Sequence, residues 1–280
     1  MYAWTTKMLQ MSISLLQTMM DSSFVTNASL SSLLLALEPF LMTLTYGSSF
    51  SKVLKLQACK DLSDTSLEPL YRKGALPLLQ ELDLSYGPLC QSAIDGLLAC
   101  CTHLTHLSLN GCVNMHDLNW GSNASQPFES MRARDSSSLF CHENKQDLIK
   151  HPNRLLQNLN CVGCPKIRKV LIPFMARCFH LSLLNLSLSS NLKEVDISCV
   201  SLCFLNLSNC YSLEHLKLQC PRLTSLLLQS CNIDEEAVET AISRCSMLET
   251  LDVRFCPKIH SISLGPLRAA CPSLKRVFRH

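Results

Sequence analysis

The chain carries 17 cysteines, and thiols at suitable spacing bind zinc, form disulfides or attack electrophiles. One pair, Cys161 and Cys164, has the C-x-x-C spacing of zinc and redox sites. A zinc site of that kind needs a second pair at a defined distance, and the sequence offers none. Most of the cysteines recur in phase with a leucine pattern instead. We therefore expect thiols that pack in a core, with no metal, no cofactor and no disulfide framework.

Motifs for nucleophilic, nucleotide or metalloprotease chemistry are also missing from the sequence. It contains no G-x-S-x-G, P-loop, G-x-G-x-x-G or H-E-x-x-H. We expect no catalytic residue and a non-catalytic role.

The cysteines end a repeated pattern, L-x-x-L-x-L-x-x-C, in which the thiol follows the first leucine by eight residues. The pattern recurs at Leu104–Cys112, Leu202–Cys210, Leu223–Cys231 and Leu248–Cys256, the last with Val253 at the third leucine position, and in degenerate form at Leu156–Cys164 and Ser51–Cys59. This spacing is typical of leucine-rich repeats, where Asn or Cys forms a ladder after a short strand. The predicted ladder residues are Cys59, Cys112, Cys164, Cys210, Cys231 and Cys256.

Successive units give the register of the whole chain. Their first positions are Ser51, Leu79, Leu104, Leu156, Leu181, Leu202, Leu223, Leu248 and Leu274. A second cysteine column precedes the unit starts by three residues, at Cys101, Cys178, Cys199, Cys220, Cys245 and Cys271. The recurrence predicts an α/β solenoid with a curved, parallel concave sheet and with helices or short extended or 3₁₀ segments on the convex side.

The convex elements depend on unit length. The longer units have room for helices, which we expect over residues 92–101 and from Asn232, three residues before Glu235. The 21-residue units repeat the apolar phase at residues 192–197 and 213–218, where we expect extended or short 3₁₀ segments.

The domain organisation follows from where the register holds. Residues 51–280 form the predicted repeat domain. Residues 1–50 are atypical and are interpreted as a degenerate cap, a truncated repeat or part of a longer protein. Residues 121–154 are polar, Ser-rich and mixed in charge, and we interpret them as a flexible insertion that displaces one repeat.

Charge and hydropathy argue against two classes of partner. A net charge of +3 gives no electrostatic basis for binding nucleic acid or an anionic membrane. The longest apolar stretch, residues 28–46, is interrupted by Glu38 and Pro39, so we expect no membrane span. The many unpaired thiols favour a reducing compartment, nucleus or cytoplasm.

The side chains that leave the strands on the concave side are the candidate protein-binding site. They are Asp83, Tyr86, His106, Asn110, Asn158, Phe204, Asn206, Gln229, Asp252, Arg254 and Phe255. Mixed polar groups with exposed aromatics are typical of protein-recognition surfaces. An ordinary solvated strand surface remains the alternative for each single residue. Replacing Arg254 is expected to leave stability nearly unchanged and to weaken partner binding.

Phrases within the repeats resemble a known family. Cys220-Pro-Arg-Leu223 and Cys271-Pro-Ser-Leu274, with the segments 205–210, 226–231 and 251–259, resemble the plant F-box/LRR-repeat protein 15 group. The resemblance implies a substrate-recognition part of an SCF-type cullin–RING ubiquitin ligase, acting in proteasomal protein degradation. Members bind a Skp-type adaptor through an N-terminal F-box, which is not found here, since Trp4 and Trp120 lie in other contexts. Adaptor and cullin are therefore expected partners only if an F-box lies upstream.

Two other functions stay open from the sequence. One is a leucine-rich-repeat scaffold or regulatory interaction protein with no ubiquitin role. The other is a sensor in which a small molecule fills the concave face and completes a site for a protein target.

Overall fold

The computed structural model describes residues 53–58, 64, 79–120, 155–259 and 264–279. The predicted ladder residue Cys59, the segment 1–50 and the insertion 121–154 lie outside the described residues. The concave strands are β1 (Val53–Lys55), β2 (Glu81–Asp83), β3 (His106–Ser108), β5 (Asn158–Asn160), β7 (Leu183–Asn185), β9 (Phe204–Asn206), β11 (Ser225–Leu227), β12 (Thr250–Asp252) and β13 (Arg276–Phe278).

These nine strands form one parallel sheet in chain order, and each begins two residues after the first position of its predicted unit. The middle residue of each strand pairs with its equivalent in the next unit, as Leu205 pairs with Leu226 and Leu226 with Leu251. Because side chains alternate along a strand, all of these middle residues point inward together. The predicted α/β leucine-rich-repeat solenoid is confirmed.

The sheet is continuous across the long gap between the third and fourth units. Strand β3 pairs directly with β5, with Leu107 opposite Leu159. The displaced repeat that we expect within this gap lies outside the described residues.

A second parallel sheet covers the convex side of four coils. It consists of β4 (Leu118–Asn119), β6 (Lys169–Ile172), β8 (Glu194–Ile197) and β10 (His215–Leu218), in the order β10-β8-β6-β4. The extended segments expected in the two 21-residue units are β8 and β10. Their apolar residues, such as Val195 and Leu218, are buried against the concave leucines because the alternation places every second side chain inside.

Helices occupy the convex side of the longer units. They are α1 (Gln91–Cys100), α2 (Glu235–Ile242) and α3 (Leu264–Ala270), and a 3₁₀ turn spans Phe174–Ala176. The start expected at Asn232 is wrong: Asp234 caps α2, and its carboxylate accepts a hydrogen bond from the Ala237 amide at 2.8 Å. Asp234 lies three residues before Ala237, which is the spacing that an N-cap carboxylate needs to reach the third amide of the helix.

The ladder cysteines tie neighbouring coils together by hydrogen bonds. Each ladder thiol among the described residues donates to the carbonyl at the sixth position of the preceding unit, as Cys231 does to Leu207 at 3.0 Å and Cys256 to Leu228 at 3.0 Å. Ser189 takes the same position in its unit and donates to the Cys161 carbonyl at 3.4 Å. The small side chain with one donor thus adds a hydrogen bond between coils to a carbonyl that also accepts an amide of its own turn, as Leu207 does from Cys210.

The second cysteine column serves the opposite corner of the coil. The thiol of Cys271 donates to the Cys245 carbonyl at 3.1 Å, and that of Cys199 to the Cys178 carbonyl at 3.3 Å. All six members of this column are buried. Cysteine in both columns is thus a packing and capping residue. No helix among the described residues has the length and apolar character needed to cross a membrane.

Candidate protein-binding face

The concave sheet presents two rows of outward side chains, from the first and third residue of each strand. From β5 to β11 none of these side chains is ionisable: the rows read Asn158, Leu183, Phe204, Ser225 and Asn160, Asn185, Asn206, Leu227. All eight are half-buried. Charged side chains lie at the two ends instead, on β1 and β2 (Lys55, Glu81, Asp83) and on β12 and β13 (Asp252, Arg276). We call the eight outward side chains of β5, β7, β9 and β11 the neutral centre.

At the middle of the neutral centre, apolar side chains face apolar ones and amides face amides across neighbouring strands. Leu183 lies opposite Phe204 in the sheet register, and Asn185 lies opposite Asn206. Phe204 and Asn206 were expected on this face; Leu183 and Leu227 were not, because in a leucine pattern every leucine is first assigned to the core. Their positions in the register, third and fifth, are the signal that identifies them.

The third strand residue also caps its own strand. The side-chain oxygen of Asn206 accepts the Ser208 amide at 2.9 Å, and Asn185 and Asp83 form the same turn with Ser187 and Ser85. The side-chain oxygens of Asn185 and Asn206 are thus engaged by the backbone, and their amide groups retain N–H donors. A partner that meets this row therefore meets hydrogen-bond donors.

Three other predicted site residues have identified partners. Asn110 accepts the Val162 amide at 3.0 Å and so links two coils. The Thr105 hydroxyl lies 2.9 Å from Nδ1 of His106, and Asn158 accepts from the Ser182 hydroxyl at 3.4 Å. Gln229 is half-buried after β11.

The C-terminal end of the face carries an ion pair between Asp252 and Arg254, packed against the ring of Phe278. The Arg254 guanidinium donates to both Asp252 carboxylate oxygens, from Nε at 3.0 Å and from Nη2 at 2.7 Å. It also lies over the Phe278 ring, 5.2 Å from the centroid. Asp252 is only 5% exposed, so its carboxylate depends on these donors and on the Arg254 amide.

This geometry changes the expectation for Arg254. We expect Arg254→Ala to lower the midpoint of urea unfolding, because it leaves a buried carboxylate without its guanidinium. Arg254→Lys should lie between the alanine variant and the wild type, since lysine keeps the charge and loses the two-pronged geometry. An alanine variant as stable as the wild type would show that Asp252 does not need Arg254.

The turn after each concave strand forces a left-handed backbone at the eighth unit position. All eight such residues have a φ between 58° and 68°: Ala58, Tyr86, Gly111, Gly163, Leu188, Asn209, Ser230 and Phe255. Only Gly and, less readily, Asn adopt this conformation without strain. Tyr86, Leu188 and Phe255 are nevertheless large, and they are 59%, 53% and 59% exposed. These three large side chains thus combine an unfavourable backbone conformation with high exposure.

Gly111 and Gly163 give a matched test of this turn. A Cβ on Gly111 would lie 2.4 and 2.7 Å from two ring carbons of Tyr86, whereas a Cβ on Gly163 meets nothing within 4 Å. We expect Gly163→Ala to cost about 1 kcal/mol of unfolding free energy, from backbone strain alone. Gly111→Ala should cost more and shift the Tyr86 fluorescence, because the ring must move. Equal costs for both variants would contradict the packing of Tyr86 on Gly111.

The C-x-x-C pair belongs to the core. Cys164 is the ladder residue of its unit, and its thiol donates to the Leu109 carbonyl at 3.1 Å. A hydrogen bond to Cys164, together with complete burial, raises the pKa of the Cys161 thiol. Among the described residues no group of three His, Cys, Asp or Glu side chains converges as metal ligands do.

Comparison with known proteins finds solved structures of the same general kind. No family model matches the chain. An internalin C2 from Listeria monocytogenes is similar at 14% identity over 91% of this chain and 84% of its own, with a TM-score of 0.44. A complex of Rad7 and Elc1 from yeast is similar at 15% identity over 98% of this chain and 94% of its own, with a TM-score of 0.28. The InlJ functional domain of Listeria monocytogenes, which includes a cysteine ladder, is similar at 12% identity over 82% of this chain and 63% of its own, with a TM-score of 0.23. Similarity at this level compares folds alone, and it is the chain's own repeat register that makes it a leucine-rich-repeat solenoid.

Proposed function

We propose that this chain is a protein-recognition solenoid that binds its target on the concave face. The observation that carries the proposal is the neutral centre, an apolar and amide surface bounded at both ends by charge. Protein interfaces have this arrangement, with a core depleted of charged residues and a polar rim. The exposed Tyr86 and Phe255 supply aromatic anchors near the two ends.

The finer proposal is that the chain recognises substrates for an SCF-type cullin–RING ubiquitin ligase in the nucleus or cytoplasm. Its support is the resemblance of the repeat phrases to the plant F-box/LRR-repeat protein 15 group. The solenoid would hold the target close to the subunit that carries ubiquitin. Transfer between the two then becomes effectively intramolecular. No side chain of the solenoid is given a catalytic role.

The test uses the full-length gene product with Phe204→Asp, and Lys193→Asp as a matched change on the convex side. We expect both proteins to bind a Skp-type adaptor in a pull-down. When the proteasome is inhibited, its uncleared target proteins accumulate. We expect these targets to co-purify with the wild type and with the Lys193 variant, and not with the Phe204 variant.

The other outcomes separate the alternatives. Loss of partners from the Phe204 variant without any adaptor binding would overturn the ligase role and leave an interaction scaffold. Partners retained by the Phe204 variant would overturn the concave face as the binding site.

A further inference from the structure

The concave face changes in chemistry over its last three strands. In the row formed by the first residue of each strand, Ser225 of β11 lies opposite Thr250 of β12. Thr250 in turn lies opposite Arg276 of β13. Two hydroxyls and one guanidinium thus follow the apolar Leu183 and Phe204 in the same row. All three of these groups donate hydrogen bonds, and only the guanidinium carries a charge.

The hydroxyl of Thr250 is a buried polar group without a partner. The side chain leaves the sheet on the concave side and is 8% exposed, and its Oγ1 atom has no hydrogen-bond partner among the described residues. A threonine one coil away differs, because the Thr224 hydroxyl donates to the Cys203 carbonyl at 2.9 Å. A buried hydroxyl without a hydrogen bond is costly, and native structures contain few of them. The Thr250 hydroxyl is therefore available to a group that a partner brings to the face.

Arg276 places a cation beside that hydroxyl. Its side chain is exposed and has no ion-pair partner within 4.0 Å among the described residues. The carboxylates of this end have partners of their own: Glu249 pairs with Lys275 at 2.7 Å. Asp252 pairs with Arg254, also at 2.7 Å. An exposed guanidinium next to a hydroxyl that lacks an acceptor favours an anionic ligand.

The surroundings favour a carboxylate over a phosphoryl group. One cation balances the single charge of a carboxylate, whereas phosphoryl groups are recognised by clusters of arginine. The guanidinium of Arg254 is engaged by both oxygens of the buried Asp252 carboxylate, which would repel a dianion. A carboxylate has two oxygens, so it accepts from a guanidinium and from a hydroxyl together.

We propose that Ser225, Thr250 and Arg276 form a subsite for an aspartate or glutamate side chain of the protein that binds the concave face. Arg276 pairs with the carboxylate, and the Thr250 hydroxyl turns about its Cα–Cβ bond to donate to it. Ser225 is half-buried on the side of the subsite that meets the neutral centre. The inference rests on the proposed function and adds a charge requirement for the target.

The register also gives the spacing within the target. Neighbouring strands lie about 4.8 Å apart, so Phe204 and Thr250, two strands apart, are separated by about 10 Å along the row. An extended segment covers that distance in about three residues. The target segment therefore carries an apolar residue about three positions from its acid.

The first test selects peptides of about ten residues from a random library with the labelled full chain, since an extended peptide of that length spans the row from Leu183 to Arg276. We expect the selected peptides to share an Asp or Glu about three positions from an apolar residue. Arg276→Glu should replace that acid by Lys or Arg among the selected peptides. Arg268→Glu, the same change on the exposed side of α3, should leave the selection unaltered.

Thr250→Val tests the hydroxyl, because valine keeps the shape of threonine and removes the donor. In fluorescence anisotropy with a selected acidic peptide, we expect this variant to bind about tenfold more weakly, from the loss of one hydrogen bond to a charged group. The same peptide with its acid changed to the amide should bind both proteins equally weakly. Phosphoserine in place of the acid should not bind more tightly than the acid.

Urea unfolding separates this role from a structural one. Thr250→Val should leave the unfolding midpoint unchanged or raise it, because no hydrogen bond within the chain is lost, whereas Thr224→Val should lower it. The subsite is overturned by a lowered midpoint or an unchanged peptide affinity for Thr250→Val, by tighter binding of phosphoserine, or by a selection that yields no acid or no peptide. The proposed function fails separately: acidic peptides that bind Phe204→Ala as tightly as the wild type would overturn the neutral centre as the binding surface and leave the subsite in place.

Discussion

Raising the pH above about 10 is expected to unfold the protein, even with a reducing agent present. Burial raises the pKa of the thiols of Cys178, Cys210 and Cys220 to about 12. It raises the pKa of Cys112 and Cys245 to about 11. In the unfolded chain these thiols lose their protons near their ordinary value of 9.0.

The sign of the effect follows from proton binding. Below pH 9 both states keep these protons, so the stabilisation by buried neutral thiols is fully present. Above that pH the unfolded state binds fewer protons than the folded state. Each thiol then lowers the free energy of unfolding by about 1.4 kcal/mol per pH unit, until the pH reaches its pKa in the folded state. The five thiols named above together lower the free energy of unfolding by about 7 kcal/mol by pH 10, which is comparable to the whole stability of a typical domain.

Urea unfolding at about pH 8, 9 and 10 measures this slope directly. Cys210→Ser is the matched control, because serine keeps a donor for the Leu186 carbonyl, as Ser189 does in its own unit, and does not titrate. We expect the serine variant to lose about 1.4 kcal/mol less per pH unit than the wild type. A free energy of unfolding that stays constant from about pH 8 to 10 would contradict the account of the cysteine columns.

Leu226→Ala is expected to cost about 2–5 kcal/mol of unfolding free energy, the second large effect. Leu226 is completely buried, and it pairs in register with Leu205 and Leu251 on the strands to either side. Truncation leaves a cavity in the middle of the solenoid, where both neighbouring coils prevent collapse.

The adjacent residue is the control for Leu226. Ser225 lies on the same strand and projects onto the concave face, half-buried. Ser225→Ala should change stability by less than about 0.5 kcal/mol in the same urea titration. If Ser225→Ala costs more than Leu226→Ala, the inward and outward assignment of the strands is reversed.

The register of the concave sheet could be predicted from the sequence because it depends on periodicity alone. Leucine at the first, fourth and sixth positions fixes which side of each strand is buried, whatever the other residues are. That is why strands such as β9 and β11 begin where the repeat places them. The extended segments at β8 and β10 followed in the same way, from the apolar phase halfway around the short units.

The features that the repeat does not determine come from local hydrogen bonding and backbone strain. Asn232 and Asp234 are both good cap residues, and the structure starts the helix at Asp234, whose carboxylate accepts the Ala237 amide. The left-handed φ at Tyr86 and Phe255 contradicts the residue preference, because the continuous ladder of the coils imposes that turn on every unit.

Photo-crosslinking from the concave face tests the central claim most directly. A benzophenone analogue of phenylalanine at Phe204 places the reactive group in the neutral centre, and the same analogue at Lys193 places it on the convex side. In cells that express the protein, the account predicts a defined protein adduct from position 204, identified by mass spectrometry, and none of that adduct from position 193. The same adduct from both positions, or from 193 alone, would contradict recognition by the concave face.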